Sequence, residues 1–163
     1  MTVTLRTAAS SDAAAICAIH NQGIADRVAT LDTEPRTRDA VRDWLAGRGA
    51  RHPVIVAALA GNVVGWASLN VFNPRPAYDA VADFSVYVER SWRGKGIGRQ
   101  LLDRLIELAR EAGYHKLVLS TLASNEIGVL LYTSAGFSRV GIYREQGQID
   151  GAWVDVVVME KLL

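Results

Sequence analysis

A single cysteine, Cys17, stands in the whole 163-residue chain. One thiol closes no internal disulfide and builds no multi-cysteine zinc site, so neither a cross-linked scaffold nor a zinc module is available. Cys17 falls in an alanine-rich helical stretch and reads as a small buried side chain. The histidines, His20, His52 and His115, show no metal-ligand spacing, and no metal site is expected. Charge of one sign is lacking too: 18 Lys and Arg against 17 Asp and Glu leave a net charge of +1. That balance gives no global pull toward nucleic acid or an anionic membrane, so any anion site must be local. No stretch approaches the roughly 20 apolar residues needed to span a bilayer. The start, MTVTLRTAASSDAAA, lacks the basic flank and apolar run of a signal peptide, and a reducing, cytoplasmic setting is the expectation. There is no linker, repeat or long charge run, which makes residues 1–163 one expected domain.

What is present is a globular composition, half apolar and 21% charged. Residues 2–7 alternate Val3 and Leu5 against polar neighbours, as a half-buried strand does. Ser10 or Ser11 can cap a helix through Ile16 and His20, with Asp12 in its first turn, and Thr37 can cap a second helix through Val41 and Leu45. Residues 54–59 and 63–69 form a hairpin across Gly61-Asn62, and residues 84–88 form a further strand after the loop Asn73-Pro74-Arg75-Pro76. The strongest helical pattern runs through Ile97, Leu101, Leu102, Leu105 and Leu108 and ends near Gly113. A strand over residues 116–121, a short helix from Asn125 to Ala135 and two final strands, 138–145 and 153–160, complete the order βααβββαβαββ. The fold class is therefore α/β (α+β): a mixed, mostly antiparallel central sheet flanked by helices.

Between the strand at 84–88 and the strong helix the chain reads Arg93-Gly94-Lys95-Gly96-Ile97-Gly98-Arg99. Glycines admit positive φ and let a phosphate approach the backbone. The first amides of a helix have no internal partner and face outward at the positive end of its dipole. Such a loop can cradle a pyrophosphate, with Arg93, Lys95 and Arg99 adding charge; it can also be a plain turn joining strand to helix. It is not a P-loop, because Gly96 rather than Ser or Thr follows Lys95, and its GxGxG spacing is not that of a dinucleotide fingerprint.

Arg-x-x-Gly-x-Gly between a strand and an amphipathic helix resembles the acetyl-CoA loop of the GCN5-related N-acetyltransferase (GNAT) superfamily. The element order and a second landmark, Asn125 followed by Tyr132 and by Gly136-Phe137, fit the same superfamily. The resemblance implies acetyl-CoA as cosubstrate, without a metal. It would be held by Val86, Tyr87 and Val88, by Arg93, Gly94, Lys95, Gly96, Ile97, Gly98 and Arg99, and by Asn125 and Tyr132 beside the pantetheine arm.

Further motifs resemble the phosphinothricin, methionine sulfone and arsinothricin acetyltransferase branch: His20-Asn21, residues 29–35, Gly65-Trp66-Ala67-Ser68, Pro74-Arg75-Pro76 with Tyr78, Ser85-Val86-Tyr87-Val88 and residues 151–155. That branch acetylates the α-amine of glutamate-like antimetabolites and is homodimeric, so a small amine substrate and a homodimer are expected. Arg75, Tyr78, Leu31 and His20 would then contact substrate, Arg75 as the fork for an anionic end. Relatives carry Arg where Asn73 stands, and Glu where Asp83 stands. Asp83 is the candidate base, shorter than Glu by about 1.5 Å of reach, so that it acts directly, through water, or not at all. Tyr132 would return a proton to the leaving thiolate, and Cys17 is no nucleophile because nothing places a base beside it. Two rival functions stay open: acetylation of a peptide or protein amine, and a non-catalytic module that binds acyl-CoA to regulate a partner.

Overall fold

The computed structural model describes residues 2–163. One seven-stranded sheet runs through it: β1 (Thr4–Thr7), β2 (Val54–Leu59), β3 (Asn62–Val71), β4 (Val81–Val88), β5 (Lys116–Leu122), β6 (Ser138–Ile149) and β7 (Ala152–Leu162), in the order β1-β2-β3-β4-β5-β7-β6. Four helices flank it: α1 (Ala13–Asp26), α2 (Arg38–Ala46), α3 (Ile97–Glu111) and α4 (Glu126–Ser134). The order is the expected one, βααβββαβαββ, and every strand pair is antiparallel except β4 with β5.

Period-two alternation decides which helix covers which face. Ile55, Ala57, Ala67, Leu69, Phe84 and Leu117 point to one side, where Leu101, Leu102 and Leu105 of α3 are fully buried against them. Val54, Val56 and Trp66 point to the other side and pack on Ile16, Cys17 and Ile19 of α1 and Val41 of α2. Cys17 is the buried small residue its context suggests.

Helix starts follow local chemistry with one exception. Thr37 caps α2, its hydroxyl accepting the Ala40 N–H at 3.1 Å. Thr37→Ala is expected to lower unfolding stability by about 1 kcal/mol in urea titration, the usual cost of a lost cap. At the first helix neither serine caps. Ser10–Asp12 form a 3-10 turn, and the Asp12 carboxylate accepts the Ala9 N–H at 2.7 Å while binding Arg6 in a fork at 2.8 and 3.0 Å. An ionised acceptor with a guanidinium partner makes strong hydrogen bonds, and this one fixes the turn that leads into α1. The tail also differs: β6 continues through Gly147 to Ile149 instead of stopping near residue 145. Between Tyr143 and Gly147 it bulges, and Asp155 of β7 accepts the Glu145 N–H at 2.8 Å, so the extra residues are absorbed without ending the strand.

Candidate functional site

The parallel pair β4–β5 is registered only at Val81–Lys116, Ala82–Leu117 and Asp83–Val118. Beyond Asp83 the two strands part, and the edge of β4 that faces β5 has no ladder partner there. A cleft of about 730 Å³ opens along this gap, lined by β4 from Asp83 to Val88, by β5 from Leu119 to Leu122, by the loop after α1 and by the start of α3. Backbone groups left unpaired at the floor of a cleft are groups a ligand can satisfy.

At one end of the cleft lies the glycine loop. Glu89 starts it, accepting the Ser91 N–H at 2.9 Å, and the chain then passes through left-handed Gly94 (φ 75°) and Gly96 (φ 83°) into α3. No atom lies within 4 Å of where a Cβ would stand at either position, so backbone conformation demands glycine there, and the space beside it is open. The α3 ladder begins with the Gln100 N–H donating to the Gly96 carbonyl at 3.1 Å. The amides of Ile97, Gly98 and Arg99 therefore have no acceptor within the helix and stand at its positive end.

The three cations of the loop are used unequally. Arg93 binds Asp26 at 2.6 Å and donates to the Val88 carbonyl at 3.1 Å. Arg99 binds Asp103 at 2.8 Å and the Ser134 carbonyl at 3.1 Å. Lys95 lies over the Trp92 ring, 4.6 Å from its centroid, and has no carboxylate partner among the described residues. Arg90 and Arg93 together hold the Asp26 carboxyl below the usual carboxylate range, Arg90 contributing most. Lys95 and Ile97 do not line the cleft; Ile97 is a core residue, 2% exposed.

At the other end sit Asp83, Tyr87 and Tyr132. Burial pushes the Asp83 carboxyl up to about 6, against a smaller pull from the Phe84 N–H. Burial also raises the Tyr132 hydroxyl, with the nearby charges of Tyr87 and Asp83 adding to it. Tyr132 reaches the cleft from α4, its ring edge-on to Phe84 at 5.8 Å and to Phe137 at 6.1 Å. Asn125 caps α4: its amide oxygen accepts the Gly128 N–H at 3.1 Å and its amide nitrogen donates to the Thr121 hydroxyl at 2.9 Å. One amide hydrogen of Asn125 is left for the cleft it lines. Tyr87 stacks on Trp66 at 5.0 Å, and Gly23 of α1 leaves room for its ring, since a Cβ there would stand 3.1 Å away.

The expected substrate contacts are divided. Leu31 lines the cleft with Val28, Ala29 and Thr30. Their loop is anchored through Arg27 to Asp150 in the β6–β7 turn at 3.2 Å. His20 does not line the cleft. It is 4% exposed behind Tyr87, neither ring nitrogen makes a hydrogen bond, and its Nε2 lies 3.4 Å from an Asp32 carboxylate oxygen without bonding alignment. Burial foremost, then the Arg36 charge, keeps this imidazole below its ordinary value, against Asp32. Arg75 and Tyr78 line a second cavity, of about 230 Å³, with Arg51, His52 and Tyr114. Asp26, Trp92 and Ser120 also line the main cleft, though nothing in the sequence pattern marked them for it, and so does Ser85, which the sequence showed only as part of a motif; strand and helix packing reveal these positions. No three described His, Cys, Asp or Glu residues are grouped to hold a metal ion.

Transfer of a group from a phosphate-bearing carrier is the class of chemistry this layout serves, with anion-ready amides at one end and a proton acceptor and donor at the other. Residues 19–137 match the sequence model of the acetyltransferase (GNAT) family. The chain is 34% identical over 164 residues to the L-methionine sulfoximine/L-methionine sulfone acetyltransferase of Pseudomonas aeruginosa, covering 98% of this chain and 94% of that protein. The crystal structure of a phosphinothricin acetyltransferase from Sinorhizobium meliloti in complex with AcCoA superposes with a TM-score of 0.93 at 28% identity, over 100% of this chain and 89% of that one. A ribosomal-protein-alanine N-acetyltransferase from Brucella melitensis superposes with a TM-score of 0.94 at 36% identity, over 98% and 99%. The chain belongs to the acetyltransferase (GNAT) family, and it is an acetyltransferase.

Proposed function

We propose that this enzyme transfers the acetyl group of acetyl-CoA directly to the α-amine of a small amino acid of the methionine sulfone or phosphinothricin type. One observation carries the reading: a buried carboxylate, Asp83, raised to about 6, sits where β4 and β5 part and lines the same cleft as Tyr132. The cosubstrate supplies a thioester acetyl group. The amides of Ile97, Gly98 and Arg99, with Lys95 and Arg93 nearby, suit its pyrophosphate. The unpaired edge of β4 from Val86 to Val88, and the remaining amide hydrogen of Asn125, suit its pantetheine arm and the carbonyl oxygen.

Asp83 takes the proton of the ammonium, directly or through a water, and leaves a neutral amine to attack. The C–N bond forms as the C–S bond breaks and the electron pair goes to sulfur; Tyr132 donates its proton there, and its oxygen takes up the second proton that the nitrogen loses on becoming an amide. A phenol raised well above its ordinary value stays protonated at neutral pH, as an acid must. Tyr132→Phe is expected to lower kcat on the order of 100-fold with little change in the KM for acetyl-CoA, measured by thiol release. Labelled acetyl trapped on the protein would argue against direct transfer.

The likeness to a ribosomal-protein-alanine acetyltransferase supports a second reading, in which the acceptor is a protein amine. Thiol release with free amino-acid analogues set against N-terminal peptides separates the two. Turnover on peptides alone overturns the small-substrate reading.

We also infer a homodimer in the cytoplasm. Val140, Tyr143 and Trp153 stand 56–59% exposed on β6, the edge strand, and on β7 beside it, a surface a second copy would cover. Arg75 and Tyr78 line the other cavity, so contact from a neighbouring copy is how they would meet substrate. A monomeric mass by light scattering at micromolar concentration would count against the dimer.

A further inference from the structure

Beside Asp83 runs a chain of polar side chains that the transfer scheme has not used. Arg48, just after α2, stacks its guanidinium on Trp44, 4.6 Å from the ring centroid. It donates to the carbonyls of His52, at 2.9 Å, and Leu69, and to the Asn70 amide oxygen at 3.1 Å. Ser68, fully buried, donates to the same oxygen at 3.0 Å. The Asn70 amide nitrogen then donates to the Ser85 hydroxyl oxygen at 3.2 Å.

Each link has only one direction. A guanidinium has no acceptor, so the oxygen of Asn70 must face Arg48 and its NH2 must face Ser85. Ser85 therefore accepts, and its hydrogen has to point elsewhere. No described residue receives it, and Ser85 lines the cleft. Asp83 and Ser85 are two apart on β4 and share a face, with Asn70 directly across from Asp83 on β3. Cα atoms so spaced lie about 6.6 Å apart, and both side chains line the same cleft.

We propose that Ser85 is a further catalytic residue, whose hydroxyl hydrogen holds the water linking the acceptor amine to Asp83, and that Asn70 and Arg48 are positioning residues that fix that hydrogen. The inference rests on Asp83 as the base. It also explains how an aspartate can serve where a longer side chain would reach directly.

The test is a set of pH–rate profiles under saturating acetyl-CoA, with thermal unfolding as a control for folding. Ser85→Ala is expected to lower kcat about tenfold and to move the acid limb upward, because the carboxylate loses a donor. Ser85→Thr, which keeps the hydroxyl, restores both. Asn70→Ala gives a similar loss, and combining it with Ser85→Ala adds little further, since one acts through the other. If Asp83→Asn removes the acid limb while Ser85→Ala leaves kcat and limb at wild-type values, or if the two losses multiply, the Ser85 chain is overturned and the base stands. If Asp83→Asn leaves the limb in place, the base assignment falls and this inference with it.

Discussion

Asp83→Asn is expected to lower kcat by about 10²–10⁴-fold, the range a positioned general base contributes, while acetyl-CoA binding measured by calorimetry stays near wild type. The wild-type rate should rise through an acid limb near pH 6, where the buried carboxyl loses its proton, and the variant should lack that limb. The same residue makes a prediction for stability with a definite sign. The folded carboxyl is pushed up to about 6 by burial, above its ordinary value of 3.8. The unfolded chain thus gives up this proton first, and the contribution of Asp83 is lost as pH rises from about 4 through 6. At pH 8 the amide should therefore raise unfolding stability, by about 3 kcal/mol at most for two units of displacement. Near pH 3.5 it should change little. A variant that is slower yet more stable at pH 8, and only there, would match a carboxylate kept in the cleft at a cost to folding.

Gly98→Asp should strongly weaken acetyl-CoA binding without unfolding the protein. A Cβ at Gly98 would meet Leu131 at 3.5 Å and Val88 at 3.6 Å, ordinary contact distances, so the backbone tolerates a side chain. A carboxylate in the first turn of α3 also suits the helix dipole by about 0.3–1 kcal/mol. Yet it stands among the amides assigned to the pyrophosphate, and like charges about 4 Å apart cost about 4 kcal/mol at the effective dielectric of a surface site. That corresponds to a rise in Kd of between about 100- and 1000-fold, with Tm unchanged or slightly higher. Equal affinity in calorimetry would move the phosphate site away from this helix start.

Much of this layout could be read from local pattern. Periods of 2 and 3.6 in the apolar residues give the seven strands and four helices, because burying a face is what selects them. Gly94 and Gly96 are legible because left-handed backbone excludes most side chains, and the Asn125 cap because an amide oxygen can accept an orphan helix N–H. Other features were not legible. Asp12, not a serine, makes the side-chain hydrogen bond before the first helix, and it does so in a fork with Arg6 of β1. β6 runs past Gly147 only because Asp155 of its neighbour stitches the bulge.

The sequence by itself determined the family, the order of elements and the loop at residues 93–98, since each depends on residues close together in the chain. Tertiary structure alone decided what those residues do for one another. It parted β4 from β5 after Asp83, set Tyr132 in the same cleft as that carboxylate and tied Arg93 to Asp26. It also withdrew His20 from the cleft, lodged Arg75 and Tyr78 in another cavity, and led a hydrogen-bond chain from Arg48 to Ser85. The reason is physical. Burial, charge pairing and hydrogen-bond direction arise between segments tens of residues apart, and a side chain's acidity or reach is defined only once those segments are packed.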